Sequence, residues 1–228
     1  KGIKTTYCVP GAQLLQGAEV YRSLAYNGAD FISHGAQPHA ELRDGRYWPV
    51  TFYDKMTDEQ VVEDITRADH IFRQVLGRPS LGFRAPHFGY YQSAEQRSVI
   101  YRTIGPLGYR FSTSTLPVFA LQSGPVLEVE QGLFEIPLSG YYQAPGTILD
   151  SWNNIESPYT PKVTDTYAKL FVETVEKLLA LNVTGVLNYY VDPYHVLQTE
   201  AFEKAIRFLE ERKIPSINYG DLLRMMEK

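Results

Sequence analysis

Ala29-Asp30-Phe31-Ile32-Ser33-His34-Gly35-Ala36-Gln37-Pro38-His39 is an apolar run that ends in a loop carrying two imidazoles. A second stretch, Leu81-Gly82-Phe83-Arg84-Ala85-Pro86-His87, ends a strand-like run in an arginine, a proline and a third imidazole. Loops at strand ends are where barrels and open α/β sheets keep their chemistry. Two such loops, each with polar groups a catalyst can use, point to a metal-assisted hydrolase.

The segments around these loops set the fold class. Between them, Thr57 with Gln60 three residues on predicts a capped helix start. Val61, Ile65, Ala68, Ile71, Phe72 and Val75 follow at helical spacing until Gly77-Arg78-Pro79. Ile3 to Val9 predicts a strand and Ala18 to Tyr26 a helix stopped by Asn27-Gly28. Gly45 to Lys55 is expected to be an aromatic, irregular loop. After the second loop come a helix from Ser93 to Leu107 and a strand from Tyr109 to Ser114. Leu116 to Pro161 is rich in Gly and Pro and predicts hairpins and loops. Helices are then expected over Lys162 to Leu181, Thr199 to Arg212 and Tyr219 to Met226, with strands at Gly185 to Val191 and Ile214 to Ile217. Such alternation predicts an α/β fold with a mainly parallel sheet, rolled into a barrel, in a single domain over residues 1–228.

Composition narrows the function classes. The 228 residues carry a formal charge of −4, which disfavours nucleic acid, since phosphate binding needs a concentrated basic surface. No run approaches the roughly 20 apolar residues of a membrane span. The chain begins at Lys1 without a signal peptide, so a cytoplasmic and a secreted location both stay open. One cysteine, Cys8, forbids an internal disulfide and is expected to be a packed thiol. Seventeen tyrosines suit sugar rings and equally suit a core rim.

The order of these features resembles the polysaccharide deacetylases, the NodB-homology group of carbohydrate esterases (family 4). Gly2 to Val9 is similar to the family's second strand, Asn27 to His34 to the approach to its metal histidines, and Gly82-Phe83-Arg84-Ala85-Pro86 to its Arg-x-Pro motif. Ile214 to Ile217 and Tyr219 to Leu223 resemble its usual ending. The resemblance implies an irregular (β/α) barrel of about seven strands. It places the first strand, with the Asp-Asp motif that supplies a catalytic base and a metal-binding carboxylate, ahead of Lys1. If no such strand precedes Lys1, an apolar edge is exposed, which predicts marginal stability, a partner chain or a homo-oligomer. Three residues normally separate the two histidines, whereas His34 and His39 have four between them. Where the family has a Leu-x-His proton donor, this chain has Asp192, with His195 three residues on. Asp150-Ser151-Trp152 resembles the Asp-and-Trp groove motif at shortened spacing.

The resemblance implies the following roles. His34 and His39 are metal ligands, and neutral imidazoles suit zinc first, with cobalt, nickel or iron as alternatives. Arg84 orients a carboxylate through a bidentate pair, or makes a structural salt bridge. His195 is the first candidate for general acid and Asp192 the second. His87 faces the cleft or caps the next helix. Asp150, Trp152, Tyr141, Tyr142 and Trp48 are candidates for substrate contact, or packing. His70 is expected to be structural, and Asn182-Val183-Thr184 fits a glycosylation sequon. The expected function is metal-dependent removal of acetyl groups from a carbohydrate, or cleavage of a related C–N bond in a small amide. Two alternatives share the fold: a degenerate glycan-binding protein and a metal-free, allantoinase-like amidohydrolase.

Overall fold

Phe31, Phe83 and Phe111 lie on adjacent strands of one sheet, as the alternation of strand and helix predicts. The computed structural model describes residues 3–182 and 184–227; Gly2 and the middle of the Asn182-Val183-Thr184 sequon lie outside the described residues. Strands β1 (Thr6–Val9) and β2 (Asp30–Ser33) are followed by a hairpin of β3 (Ala40–Arg43) and β4 (Arg46–Pro49). Strands β5 (Gly82–Phe83), β6 (Phe111–Ser112), β7 (Leu127–Glu130) and β8 (Leu133–Glu135) complete the main sheet, and β9 (Gly140–Tyr141) pairs with β10 (Ala144–Ile148). The main sheet has the order β1-β2-β5-β6-β8-β7, parallel throughout except for the β7–β8 pair.

The register positions the chemistry. Ser33 pairs with Phe83, Phe83 with Ser112, and Ser112 with Glu135, so one row of residues crosses four strands. The backbone continues the row one step beyond: Arg84 N–H donates to the Ser33 carbonyl at 2.9 Å and Thr113 N–H to that of Phe83 at 2.9 Å. His34, Arg84 and Thr113 therefore stand side by side at the C-terminal edge of the sheet.

Nine helices are present among the described residues: α1 (Gly11–Gln16), α2 (Ala18–Tyr26), α3 (Asp58–Leu76), α4 (Ala94–Ile104), α5 (Pro117–Ser123), α6 (Asp165–Ala180), α7 (Pro193–Val196), α8 (Glu200–Glu211) and α9 (Tyr219–Met226). Helix α3 has the expected start: Thr57 and Gln60 form a reciprocal capping box, and Gly77 closes the helix in the left-handed conformation. Its apolar stripe is buried, and Ile65 lies in the core with Tyr53, Phe83 and Ile100. Gly82 has no alternative here, because a Cβ at that position would run into the Phe111 ring. No helix among the described residues is long and apolar enough to cross a membrane.

Three expectations are corrected. Residues 45–55 are not wholly irregular, since β3 and β4 form a four-residue-paired hairpin from Ala40 to Pro49. Gly185 to Val191 is not a continuous strand; only Tyr190 makes a parallel bridge, to Asp150. The buried Asn188 side chain explains this, since its amide donates to Thr113 Oγ1 and to the Ile136 and Pro137 carbonyls. Its backbone N–H goes to the Ser139 hydroxyl rather than to a ladder partner. Residues 214–217 are also irregular, with the Ser216 hydroxyl donating to the Lys4 carbonyl. Cys8 is a partly buried thiol packed beside the cluster of Ile32 and Phe111, and burial raises its pKa.

Truncating Ile65 to alanine leaves a hole under the site with no polar group to fill it. Ile65→Ala should cost about 2–5 kcal/mol in denaturant unfolding; a loss below about 1 kcal/mol contradicts the packing described.

Candidate active site

Nδ1 of His34 lies 2.7 Å from the Arg84 carbonyl oxygen. A carbonyl only accepts, so Nδ1 carries the proton and Nε2 keeps a free lone pair. The His39 ring meets His34 edge to face at 4.7 Å, and the His87 ring meets His39 at 4.1 Å. His87 turns toward this pair and makes no helix cap: its Nε2 donates to the His39 carbonyl at 3.1 Å, and its ring stacks on Phe52 at 4.4 Å. Its backbone is left-handed, with φ 45°. Such strain in a non-glycine residue persists where surrounding contacts over-determine it.

The three imidazoles are uncharged near neutral pH. Burial holds His34 well below the usual histidine range, with His39 adding to the effect. Burial, and then the neighbouring His87, lowers His39 to about 4. His87 is also lowered by burial. Neutral imidazole with an exposed lone pair is the donor that divalent zinc, cobalt or nickel prefers, and the carbonyl bond of His34 is the orienting contact such ligands use. The chemistry of His34 and His39 thus fits a divalent cation. Among the described residues, no group of three or more His, Cys, Asp or Glu side chains is arranged to hold one.

Arg84 is 5% exposed. Its guanidinium donates to the Thr113 carbonyl and hydroxyl, each at 3.1 Å, and to the Tyr219 hydroxyl at 2.8 Å. The expected carboxylate partner is not found among the described residues. The Tyr190 and Phe88 rings lie 5.5 and 5.9 Å from the guanidinium carbon instead. Tyr190 bridges to Asp150 and so links Arg84 to the second half of the site.

That half is built on Asp150, Ser151 and α7. The Ser151 hydroxyl accepts the Asp192 N–H at 2.9 Å and lies 3.0 Å from Nδ1 of His195. The hydroxyl can donate to Nδ1 or accept a second bond from it, so it holds the ring in either protonation form. His195 is buried, and burial lowers its pKa against the opposing pull of Asp192. Asp192 caps α7 by accepting the Tyr194 N–H at 2.9 Å. Asp150 is buried, accepts the Asn153 N–H, and has its pKa raised by burial. Trp152 lies half-exposed, edge-on to His195 at 4.3 Å.

The remaining candidates lie apart from one another. Trp48, on β4, is exposed beneath the Arg46 guanidinium at 4.3 Å. Its neighbour Tyr47 meets Tyr194 at 6.0 Å, so the hairpin that follows His39 touches the helix that carries His195. Tyr142 is exposed beside Lys177 of α6. Tyr141 is buried in the cluster of Leu149, Tyr167 and Phe171. His70 lies on the exposed face of α3, away from these groups.

Sequence reasoning missed Asp64. This buried carboxylate of α3 accepts from the Ala36 and Gln37 N–H groups and the Tyr53 hydroxyl. The available signal was an acidic residue three positions after Val61, on the apolar face of the helix.

Residues 1–102 match the family model described as polysaccharide deacetylase. The match spans the N-terminal part of the chain, where the chain is similar to the polysaccharide deacetylases. A candidate polysaccharide deacetylase from Mycobacterium smegmatis superposes with a TM-score of 0.68 at 15% identity, over 98% of this chain and 71% of that one. Puue allantoinase superposes with a TM-score of 0.66 at 14% identity, over 97% and 67%. A family 4 acetyl xylan esterase from Clostridium thermocellum, solved with a cobalt ion, gives 0.51 at 13% identity, over 98% and 78%. No curated protein matches the chain. At these identities the superpositions show the fold, which is that of the deacetylases.

The depressed pKa of His39 has a measurable consequence. An unfolded imidazole titrates near 6.5, so on acidification the unfolded chain takes up this proton before the folded one. The stability that neutral His39 contributes is whole above about pH 6.5 and is lost as the pH falls toward 4. In chelator-treated protein, His39→Gln should flatten the fall in melting temperature across this window. Equal slopes in the two proteins would contradict the assignment.

Proposed function

We propose that the protein is a metal-dependent hydrolase that removes N- or O-acetyl groups from a carbohydrate, with one catalytic domain over residues 1–228. A related C–N bond in a small amide is the same chemistry. The observation that carries this reading is the pair of neutral imidazoles, His34 and His39, at the C-terminal edge of the sheet, with the Nε2 lone pair of His34 set free by Arg84. The family match and the cobalt complex of the acetyl xylan esterase support it.

His34 and His39 hold the cation, zinc in the first instance. When bound, it supplies a water of lowered pKa and polarisation of the acyl oxygen. His195, in its imidazolium form, is the first candidate for general acid toward a leaving amine or alkoxide, with its ring held by the Ser151 hydroxyl 3.0 Å from Nδ1. Asp192 holds the helix that carries His195, and is the second candidate for the acid. Arg84 supplies buried positive charge between the two halves. Trp152, beside His195, and Trp48, on the hairpin, are the exposed rings that would meet a sugar face, and His87 and Asp150 are further candidates for substrate contact.

A second reading is a glycan-binding protein without chemistry. It is favoured by the lack of a carboxylate joined to the imidazoles among the described residues.

Acetate release from acetylated chitooligosaccharides and acetylated xylan, with zinc or cobalt added, separates the two. Turnover should stop on chelation. His34→Ala should lower kcat/KM by about a hundredfold or more, and His195→Asn should lower kcat by about 10²–10⁴. Absence of turnover with every metal, together with glycan binding that survives both chelator and His34→Ala, establishes the second reading.

A further inference from the structure

We propose that Asp64 is the positioning residue and counter-charge for the cation held by His34 and His39, an inference that rests on the metal reading of that pair. The carboxylate is 3% exposed and belongs to α3, not to the loop it serves. One oxygen accepts the Gln37 N–H at 3.0 Å. The other accepts the Ala36 N–H at 3.1 Å and the Tyr53 hydroxyl at 2.7 Å. Both backbone donors lie between the two histidines, so this side chain holds the path of the chain from His34 to His39 together with the Gly11 and Ala12 N–H groups, which donate to the Gly35 and Ala36 carbonyls at 2.8 Å, and the Thr51 hydroxyl, which donates to the Pro38 carbonyl at 2.6 Å.

Gly35 records how closely the carboxylate sits beneath the loop. Its φ is 78°, and a Cβ there would strike the Asp64 carboxylate and come within 2.8 Å of the Tyr53 hydroxyl. No Lys, Arg or His nitrogen among the described residues pairs with Asp64 within 4.0 Å. Backbone and hydroxyl dipoles alone solvate it. A dication on two neutral imidazoles brings two positive charges into a loop where His34 is 7% exposed. A carboxylate bonded to that loop offsets part of this charge through a medium of low dielectric. It also keeps the two rings from drifting apart. Outer contacts of this kind commonly contribute about 10–100-fold in metal affinity.

The test is cobalt and zinc titration of the full chain, by equilibrium dialysis and by the visible spectrum of cobalt, beside thermal melts of the metal-free protein. Asp64→Asn keeps the shape and removes the charge and one acceptor. It should melt cooperatively, bind cobalt about 10–100-fold more weakly and shift the cobalt bands. Tyr53→Phe removes a single bond to the carboxylate and should weaken binding several-fold. A folded Asp64→Asn protein with affinity within twofold of the parent and an unchanged spectrum overturns the proposal, whatever its melting temperature. Should Asp64→Asn not fold, an unchanged affinity in Tyr53→Phe overturns it equally. Failure of the folded parent chain to take up either cation overturns the metal reading itself, and the role of Asp64 with it.

Discussion

The hydrogen bond from Nδ1 of His34 to the carbonyl of Arg84 ties the end of β2 to the end of β5. It exists because the two strands are parallel neighbours in register, which sets His34 and Arg84 side by side one residue beyond the last paired row. The bond settles which nitrogen of the imidazole is basic. Burial then holds the ring neutral. Strand register sets the contact, the contact sets the tautomer, and burial sets the charge state of the ring that faces His39.

The charged groups around this contact are held in a particular way. Arg84 is buried among hydroxyls, a carbonyl and two aromatic rings, and Asp64 among backbone N–H groups and a tyrosine. The two opposite charges do not meet. A buried pair in direct contact would neutralise itself and leave nothing for a ligand. Charges solvated by fixed dipoles remain available to a cation, a carboxylate or a developing oxyanion. The second half of the site follows the same plan, with Ser151 taking one bond from Asp192 and turning toward His195. Tyr47 against Tyr194 joins the halves at the rim.

Much of this was legible in the sequence where local signals agree. The capping box of Thr57 and Gln60, the apolar stripe of α3 and the stop at Gly77 gave a helix with bounds one residue from those expected. The runs ending at Ser33 and Phe83 gave strands with histidine and arginine just beyond them. Legibility failed where side chains replace backbone partners. Gly185 to Val191 has the apolarity of a strand, yet Asn188 spends its amide on Thr113, Ile136 and Pro137, a choice visible only once those residues are brought together. The hairpin after His39 was obscured because Arg46, Tyr47 and Trp48 alternate poorly and lie mostly on the exposed surface. Arg84 was expected beside a carboxylate; its partners, Thr113 and Tyr219, come from segments 29 and 135 residues away. Asp64 was overlooked because helical periodicity attends to apolar residues, and the informative one was the acid among them.

The account stands on a cation between His34 and His39. Anomalous diffraction at the zinc or cobalt edge, from crystals grown with that metal, tests this directly. The account predicts a single strong peak within coordination distance of Nε2 of His34, with His39 as the second imidazole. A lattice without that peak, or with the metal on His195 and the His34 and His39 rings unengaged, would contradict it.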